Sequence, residues 1–214
     1  MMKKPSYEKE APFKLPSGPL LIVLSGPSGA GKDAVLSRMK KLGYPLKYVT
    51  VTTATTRPKR DKERDGVDYY FVSAEKFQAM ISGNDLLEWA KVYGNWYGVP
   101  RQPVEQALAK GQDVIVKVDI QGAATIKTIF PQAILIFLIP PVMEELVSRL
   151  KQRHTESSFD LTLRINTAEE EIKQLPLFDY AVWNKRDKID QAISDIKAII
   201  QAEKCRVNPR IIKP

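Results

Sequence analysis

The stretch 20-LLIVLSGPSGAGKDAVL-36 decides the fold. Its first six residues form a short apolar, β-branched run ending in glycines, the pattern of a parallel strand buried on both faces. Beyond the glycines, Ala30, Val35, Leu36, Met39 and Leu42 recur near helical spacing and Gly43 supplies a stop, so residues 30–42 read as a helix. Between strand and helix lies Gly26-Pro-Ser-Gly-Ala-Gly-Lys32, the G-x-x-x-x-G-K pattern of a phosphate-binding loop. Glycines let the backbone curl until successive N–H groups face phosphate oxygens, the helix N-terminus adds positive potential, and Lys32 reaches the terminal phosphates. A nucleoside triphosphate fits such a cradle. Its contacts are expected along Ser25, Gly26, Pro27, Ser28, Gly29, Ala30, Gly31, Lys32 and Asp33. The plainer reading is a glycine-rich βα turn with no ligand.

Outward from this unit, residues 114–118 and 133–139 read as further buried strands, each followed by a helical stretch at 123–129 and 143–153. That alternation argues for a parallel α/β sheet flanked by helices. Between 50 and 100 the pattern changes to short strand-like pieces, a helix led by Ser73 and a hairpin around Gly94-Asn95, which together read as an inserted α+β lobe. A polar helix over 161–175 follows the loop 154–160, and the strand-like YAVWN precedes a final amphipathic helix over 192–202.

Composition sets the bounds. The 214 residues are 43% hydrophobic and 27% charged, which excludes whole-chain disorder and fibre. The longest apolar stretch, 133–141, is far shorter than the ~18 residues of a membrane span, and the first 19 residues have no apolar core of a signal peptide. One cysteine, Cys205, and one histidine, His154, leave no disulfide and no Cys/His zinc cluster, and neither residue is assigned chemistry. A reducing, cytoplasmic setting is expected. The formal charge of +8 calls for an anionic partner.

The loop motif SGPSGAGKDAVL, followed in order by TTATTRPKRDKERDGVDYYFV, LLEWAKVYGNWYG, VDIQGA and IPPVMEELVSRLKQR, resembles guanylate kinase over residues 20–202. The resemblance implies a P-loop NTPase-type parallel sheet with an inserted GMP-binding lobe and a helical lid. It also implies transfer of the γ-phosphoryl group of ATP to GMP, and to dGMP, with Mg2+. On that scheme residues 1–19 are a mobile arm, and 20–205 one domain. Its core is 20–50, 101–141 and 176–205, its lobe 51–100 and its lid 142–175. The tail 206–214 reads as a loose end. The substrates are GMP and ATP, no nucleic acid or membrane partner is expected, and the chain is a monomer or homodimer.

The family match places Arg57, Arg60, Tyr69 and Tyr97 on the GMP phosphate, a dianion suited to forked guanidinium donors and hydroxyls. It places Thr53 near the base. Guanine presents N1–H and N2–H₂ donors side by side, so a fixed carboxylate accepts both and rejects adenine; Glu88 is the candidate. Asp119 assists from the end of its strand, at guanine or through metal-bound water. Arg149 and Arg153, four apart on one helix face, and Arg164 from the next helix match the lid arginines that stabilise charge during transfer. With Lys32 and Arg60 they form the catalytic set. Asn184 of YAVWN is assigned to the adenine side.

Several positions depart from the family pattern. Asp33 replaces the Ser or Thr whose hydroxyl meets magnesium, and is the candidate metal ligand in its place, directly or through water. Val99 stands where a hydroxyl is common. Lys117 stands where an acid is common, and is expected to offset the charge of Asp33. The acid that often follows Asn184 is missing. A guanylate-kinase-like module that holds phosphorylated protein partners without catalysis is the competing class, but it has no physical need of the phosphate loop or the lid arginines. A phosphosugar kinase has no need of Glu88, and a nucleic-acid binder lacks a recognisable motif.

Overall fold

A computed structural model describes residues 18–42, 48–61, 63–140, 145–147, 158–185 and 187–212, with the side chains of 158–164 excluded. At its centre is β1 (Leu21–Ser25), parallel to β7 (Asp113–Lys117) on one side and to β8 (Ile134–Ile139) on the other. The sheet is completed by β2 (Tyr48–Thr50) beside β7 and β9 (Tyr180–Trp183) beside β8, giving the order β2-β7-β1-β8-β9, all parallel.

Alternation along the strands explains why they read as continuous apolar runs. Leu21 and Val23 of β1, Val114 and Val116 of β7 and Leu135 of β8 enter one core, while Ile22, Leu24, Ile115, Ile134, Ile136 and Leu138 enter the other. The first core is covered by α3 (Arg101–Ala109), through Val104, Ala107 and Leu108, and α4 (Ile120–Ile129), through Ala123 and Ile126. The second is covered by α1 (Lys32–Lys41), through Val35, Leu36 and Met39, and α6 (Ile189–Lys204). Ala192, Ile193, Ile196 and Ile200 form the buried stripe of α6, as helical spacing requires. Helix α3 was not anticipated from the sequence.

The lobe has its own four-stranded sheet, ordered β4 (Tyr70–Phe71), β3 (Ala54–Thr55), β6 (Asn95–Pro100), β5 (Leu86–Val92). Helix α2 (Ala74–Ser82) packs on it through fully buried Phe77, and Ser73 caps that helix as expected, accepting from Lys76 N at 3.2 Å. The hairpin turn sits one residue earlier than expected. Val92 pairs with Asn95, so the loop is Tyr93-Gly94, both at positive φ as a primed turn demands.

Helix α5 (Ser158–Ile172) forms within the segment expected to be a lid, and buried Leu146 and Ala168 pack together there. The tail is not loose over 206–212. Ile212 enters the first core, and the Arg210 guanidinium donates to Glu203 Oε2 at 3.0 Å and to Asp179 Oδ1 at 3.3 Å. Residues 1–17 of the expected arm lie outside the described residues.

Candidate active site

The phosphate loop leaves the carboxyl end of β1, where ligands bind in open parallel sheets. Gly26 has φ 137, and a Cβ there would collide with the Leu138 carbonyl oxygen of β8, so the approach of two strands imposes the glycine. No side chain caps α1, whose cap position is Gly31. The Lys32 ammonium turns back on the loop carbonyls of Gly26 and Pro27. Burial lowers its pKa, against the pull of Glu171, Asp33 and Asp119.

One amide of this curl already meets an acidic group of the chain. The backbone N–H of Ser28 donates to Glu171 Oε2 at 3.3 Å, a carboxylate brought in by α5 from 143 residues away. Glu171 was not found from the sequence; nothing in its helical segment distinguishes it from Glu169 and Glu170. Burial raises its pKa. Asn184 is buried behind the loop, its Nδ2 donating to Ala30 O at 2.7 Å and its N–H to Ile139 O at 2.8 Å. It therefore ties the loop to the end of β8.

Loop and lobe enclose a cavity of about 130 Å³. Gly26, Ser28, Gly29, Gly31, Lys32 and Asp33 line its donor side, and Thr53, Arg57, Arg60, Tyr69, Glu88 and Tyr97 line the lobe side, with Lys117, Asp119 and Glu171 between them. Ser25, Pro27, Ala30 and Asn184 do not line it. Arg57 and Arg60 are held as a pair by Glu63. The Arg57 guanidinium donates to Glu63 Oε1 at 2.8 Å, and the Arg60 N–H to Oε2 at 2.9 Å. Burial raises the Glu63 pKa, but the Arg57 hydrogen bond and charge outweigh it and the net direction is down. The spacing R-x-x-R-x-x-E within TTRPKRDKE was the available signal for Glu63. Tyr69 and Tyr97 meet edge to face with ring centroids 6.1 Å apart.

Glu88 is 4% exposed, and its position follows from an irregularity in β5. The register with β6 shifts between Leu86 and Glu88, so two residues on one strand oppose one on the other. Leu86 then enters the lobe core, Leu87 the sheet core, and Glu88 the cavity wall. A Cβ on Gly122 would sit 2.6 Å from Glu88 Oε2, so α4 must offer a glycine there. Burial, with the nearby charge of Asp119, pushes the Glu88 carboxyl up to about 8. Asp119 itself caps α4, accepting from Gly122 N at 2.7 Å. Thr53, buried beside them, donates to Lys117 O at 3.2 Å. Val99 is a core residue paired with Glu88 across the hairpin and does not line the cavity.

The Lys117 ammonium pairs with Asp33 Oδ1, and Tyr69 OH donates to the same oxygen at 3.4 Å. The expected meeting of Lys117 with Asp33 is present. Burial works to lower the Lys117 pKa, but Asp33 and Tyr69 prevail and raise it. Among the described residues no group of three or more His, Cys, Asp or Glu could hold a metal ion. Arg149 and Arg153 lie outside the described residues, as do His154 and the side chain of Arg164.

The chain is similar to known proteins over most of its length. A family model described as guanylate kinase matches residues 19–203. The chain is 45% identical over 202 residues to guanylate kinase 2, chloroplastic/mitochondrial, of Oryza sativa subsp. japonica, covering 94% of this chain and 70% of the rice protein. It is 47% identical over 188 residues to guanylate kinase of Desulfitobacterium hafniense, covering 88% and 92% of the two chains. The crystal structure of guanylate kinase from Anaplasma phagocytophilum is similar with a TM-score of 0.72 and 32% identity, covering 90% of this chain and 89% of that one. An amide cradle, a paired-arginine lobe and a buried carboxylate thus sit in one unbroken stretch matched from end to end, and the chain belongs to the guanylate kinase family.

Proposed function

We infer that this protein transfers the γ-phosphoryl group of ATP to GMP, yielding ADP and GDP. The observation that carries the reading is one cavity with the amide loop on one wall and buried Glu88 on the other. Glu88, as a carboxylate, accepts from guanine N1–H and N2–H₂, and Thr53 stands beside it. Arg57, Arg60, Tyr69 and Tyr97 hold the GMP phosphate, with Glu63 fixing the two arginines. A GMP phosphate oxygen attacks the γ-phosphorus, the bond to the β,γ-bridging oxygen breaks, and its electron pair stays on ADP. Little covalent work falls to the protein, so positioning and cationic clamping dominate. Lys32 supports the departing charge, and Arg149, Arg153 and Arg164 are assigned to close over the phosphates and exclude water. Asn184 acts by holding the loop and need not touch adenine.

The donor set fits magnesium only in part. With no protein cage among the described residues, the ion would be carried chiefly by phosphates and water, with Asp33 as the one loop carboxylate near it. When bound, magnesium neutralises phosphate charge. No described helix is long and apolar enough to cross a membrane, and the single cysteine supports a reducing, cytoplasmic setting. A catalytically idle module would leave the Lys32 cradle without purpose. The test is ADP formation from ATP and magnesium with GMP, AMP, UMP or a phosphosugar as acceptor. GMP alone supports rapid turnover on this reading, and equal rates with AMP contradict it.

A further inference from the structure

The residue after Lys32 sits within one helical turn of the loop that receives the donor phosphates. A hydroxyl there is neutral; Asp33 brings a negative charge to a place that must accept several more. Left alone, it would repel the donor, and a buried or half-buried charge pair is strongly disturbed when one partner is removed. The chain supplies that partner from a different strand. Lys117 ends β7 directly beside Leu24 of β1, one residue before Ser25. Its side chain is 11% exposed against 55% for Asp33, so the ammonium is fixed while the carboxylate faces the opening. Below it, the Tyr69 ring centroid lies 3.8 Å from Nζ, a close cation–π contact. Tyr69 in turn donates to Asp33, so the lobe, β7 and α1 meet at one carboxylate oxygen.

We propose that Lys117 is a positioning residue for the donor: clamped between Asp33 and Tyr69, its ammonium cancels the loop carboxylate and lets the cradle take a nucleotide polyphosphate with little help from metal. Aspartate and lysine at these two positions act as one exchange, a neutral pair in place of a neutral hydroxyl. The inference rests on the donor reading of the loop given above.

The experiment measures ADP binding by calorimetry in EDTA and again with magnesium, alongside thermal melting. Lys117→Met is expected to weaken metal-free ADP binding about tenfold or more, with a smaller loss when magnesium is present. Lys117→Arg keeps the charge and stays within about threefold of wild type. Adding Asp33→Ser to Lys117→Met restores metal-free binding although the ion pair is still missing, which a merely structural bridge would not do. In turnover, KM for ATP rises more than kcat falls in Lys117→Met. Should that variant fail to fold, Asp33→Ser alone serves, since it leaves Lys117 unopposed and tightens metal-free ADP binding. The proposal is overturned by wild-type affinity in Lys117→Met, by a double variant no better than the single one, or by unchanged or weaker binding in Asp33→Ser. A wild-type protein that binds no ADP in either condition sinks the donor reading itself, a separate result.

Discussion

The donor wall and the acceptor wall of the cavity are built on opposite principles. The donor wall is backbone: a curled loop of seven residues, one lysine, Gly26 imposed by close approach, and Gly29 and Gly31 at positive φ. The acceptor wall is side chains, gathered from the residue before β3, from β5, β6 and the segment between β3 and β4, and from the start of α4. The first fixes a ligand by local geometry, and any triphosphate satisfies it. The second is the wall proposed to select a base, and needs tertiary structure to bring its parts together. Selectivity is accordingly lodged where the sequence is most scattered.

Four experiments break or sharpen this contrast. Lys32→Ala removes the one cation of the loop 26–32, and transfer to every acceptor falls by about 10²- to 10³-fold or more, as for loss of a preorganised donor; steady-state assays that show wild-type kcat refute it. Gly122→Ala touches no substrate, yet pushes its methyl into Glu88. It lowers kcat/KM for GMP by about 10²-fold, the scale of a 1 Å misplacement, while the ATP dissociation constant stays unchanged.

The third uses protons. On the proposed reading Glu88 must be a carboxylate to accept from guanine, but burial and the nearby Asp119 hold it up at about 8. GMP binding therefore expels one proton at pH 7, and affinity strengthens about tenfold per pH unit up to that value. Calorimetry in two buffers of different ionisation enthalpy counts the proton, and Glu88→Gln abolishes it. The sign for stability is opposite. A folded pKa above the unfolded 4.5 means stabilisation that is complete below 4.5 and is lost as pH rises through about 8. The melting temperature of the ligand-free protein thus declines across that window relative to Glu88→Gln.

The smallest effect belongs to Glu171. Its carboxylate on Ser28 N competes with a donor phosphate, so Glu171→Gln lowers KM for ATP about two- to fivefold, within the range of a partly exposed charge interaction. An increase in KM would instead make Glu171 part of the bound state.

The same contrast explains what could be read in advance. Strand β1, the loop and α1 lie in twenty-one consecutive residues, and their periodicity and glycines specify them locally. Strands β1, β7 and β8 followed from apolar runs because the two cores take alternate residues of the same strands, whereas β2, three half-buried residues, offered no such run. On the acceptor side, Arg57, Arg60, Tyr69, Glu88 and Tyr97 were named through resemblance, and the structure gathers them on one cavity. What stayed hidden was relational. Glu63 as the holder of two arginines, Gly122 as space for Glu88, the shifted register in β5 and the reach of Glu171 depend on neighbours distant in sequence. The docked tail belongs with them, since Arg210 has meaning only beside Glu203 and Asp179.

The central claim is that a backbone cradle takes the phosphate tail while one buried carboxylate chooses the base. Its most direct test is the ratio of kcat/KM for GMP to that for AMP in wild type and Glu88→Ala. The expected wild-type ratio is about 10⁴ or more, as for sites that hydrogen-bond their substrate, collapsing toward unity in the variant with ATP binding intact. A ratio that survives Glu88→Ala would place guanine selection elsewhere and contradict the account.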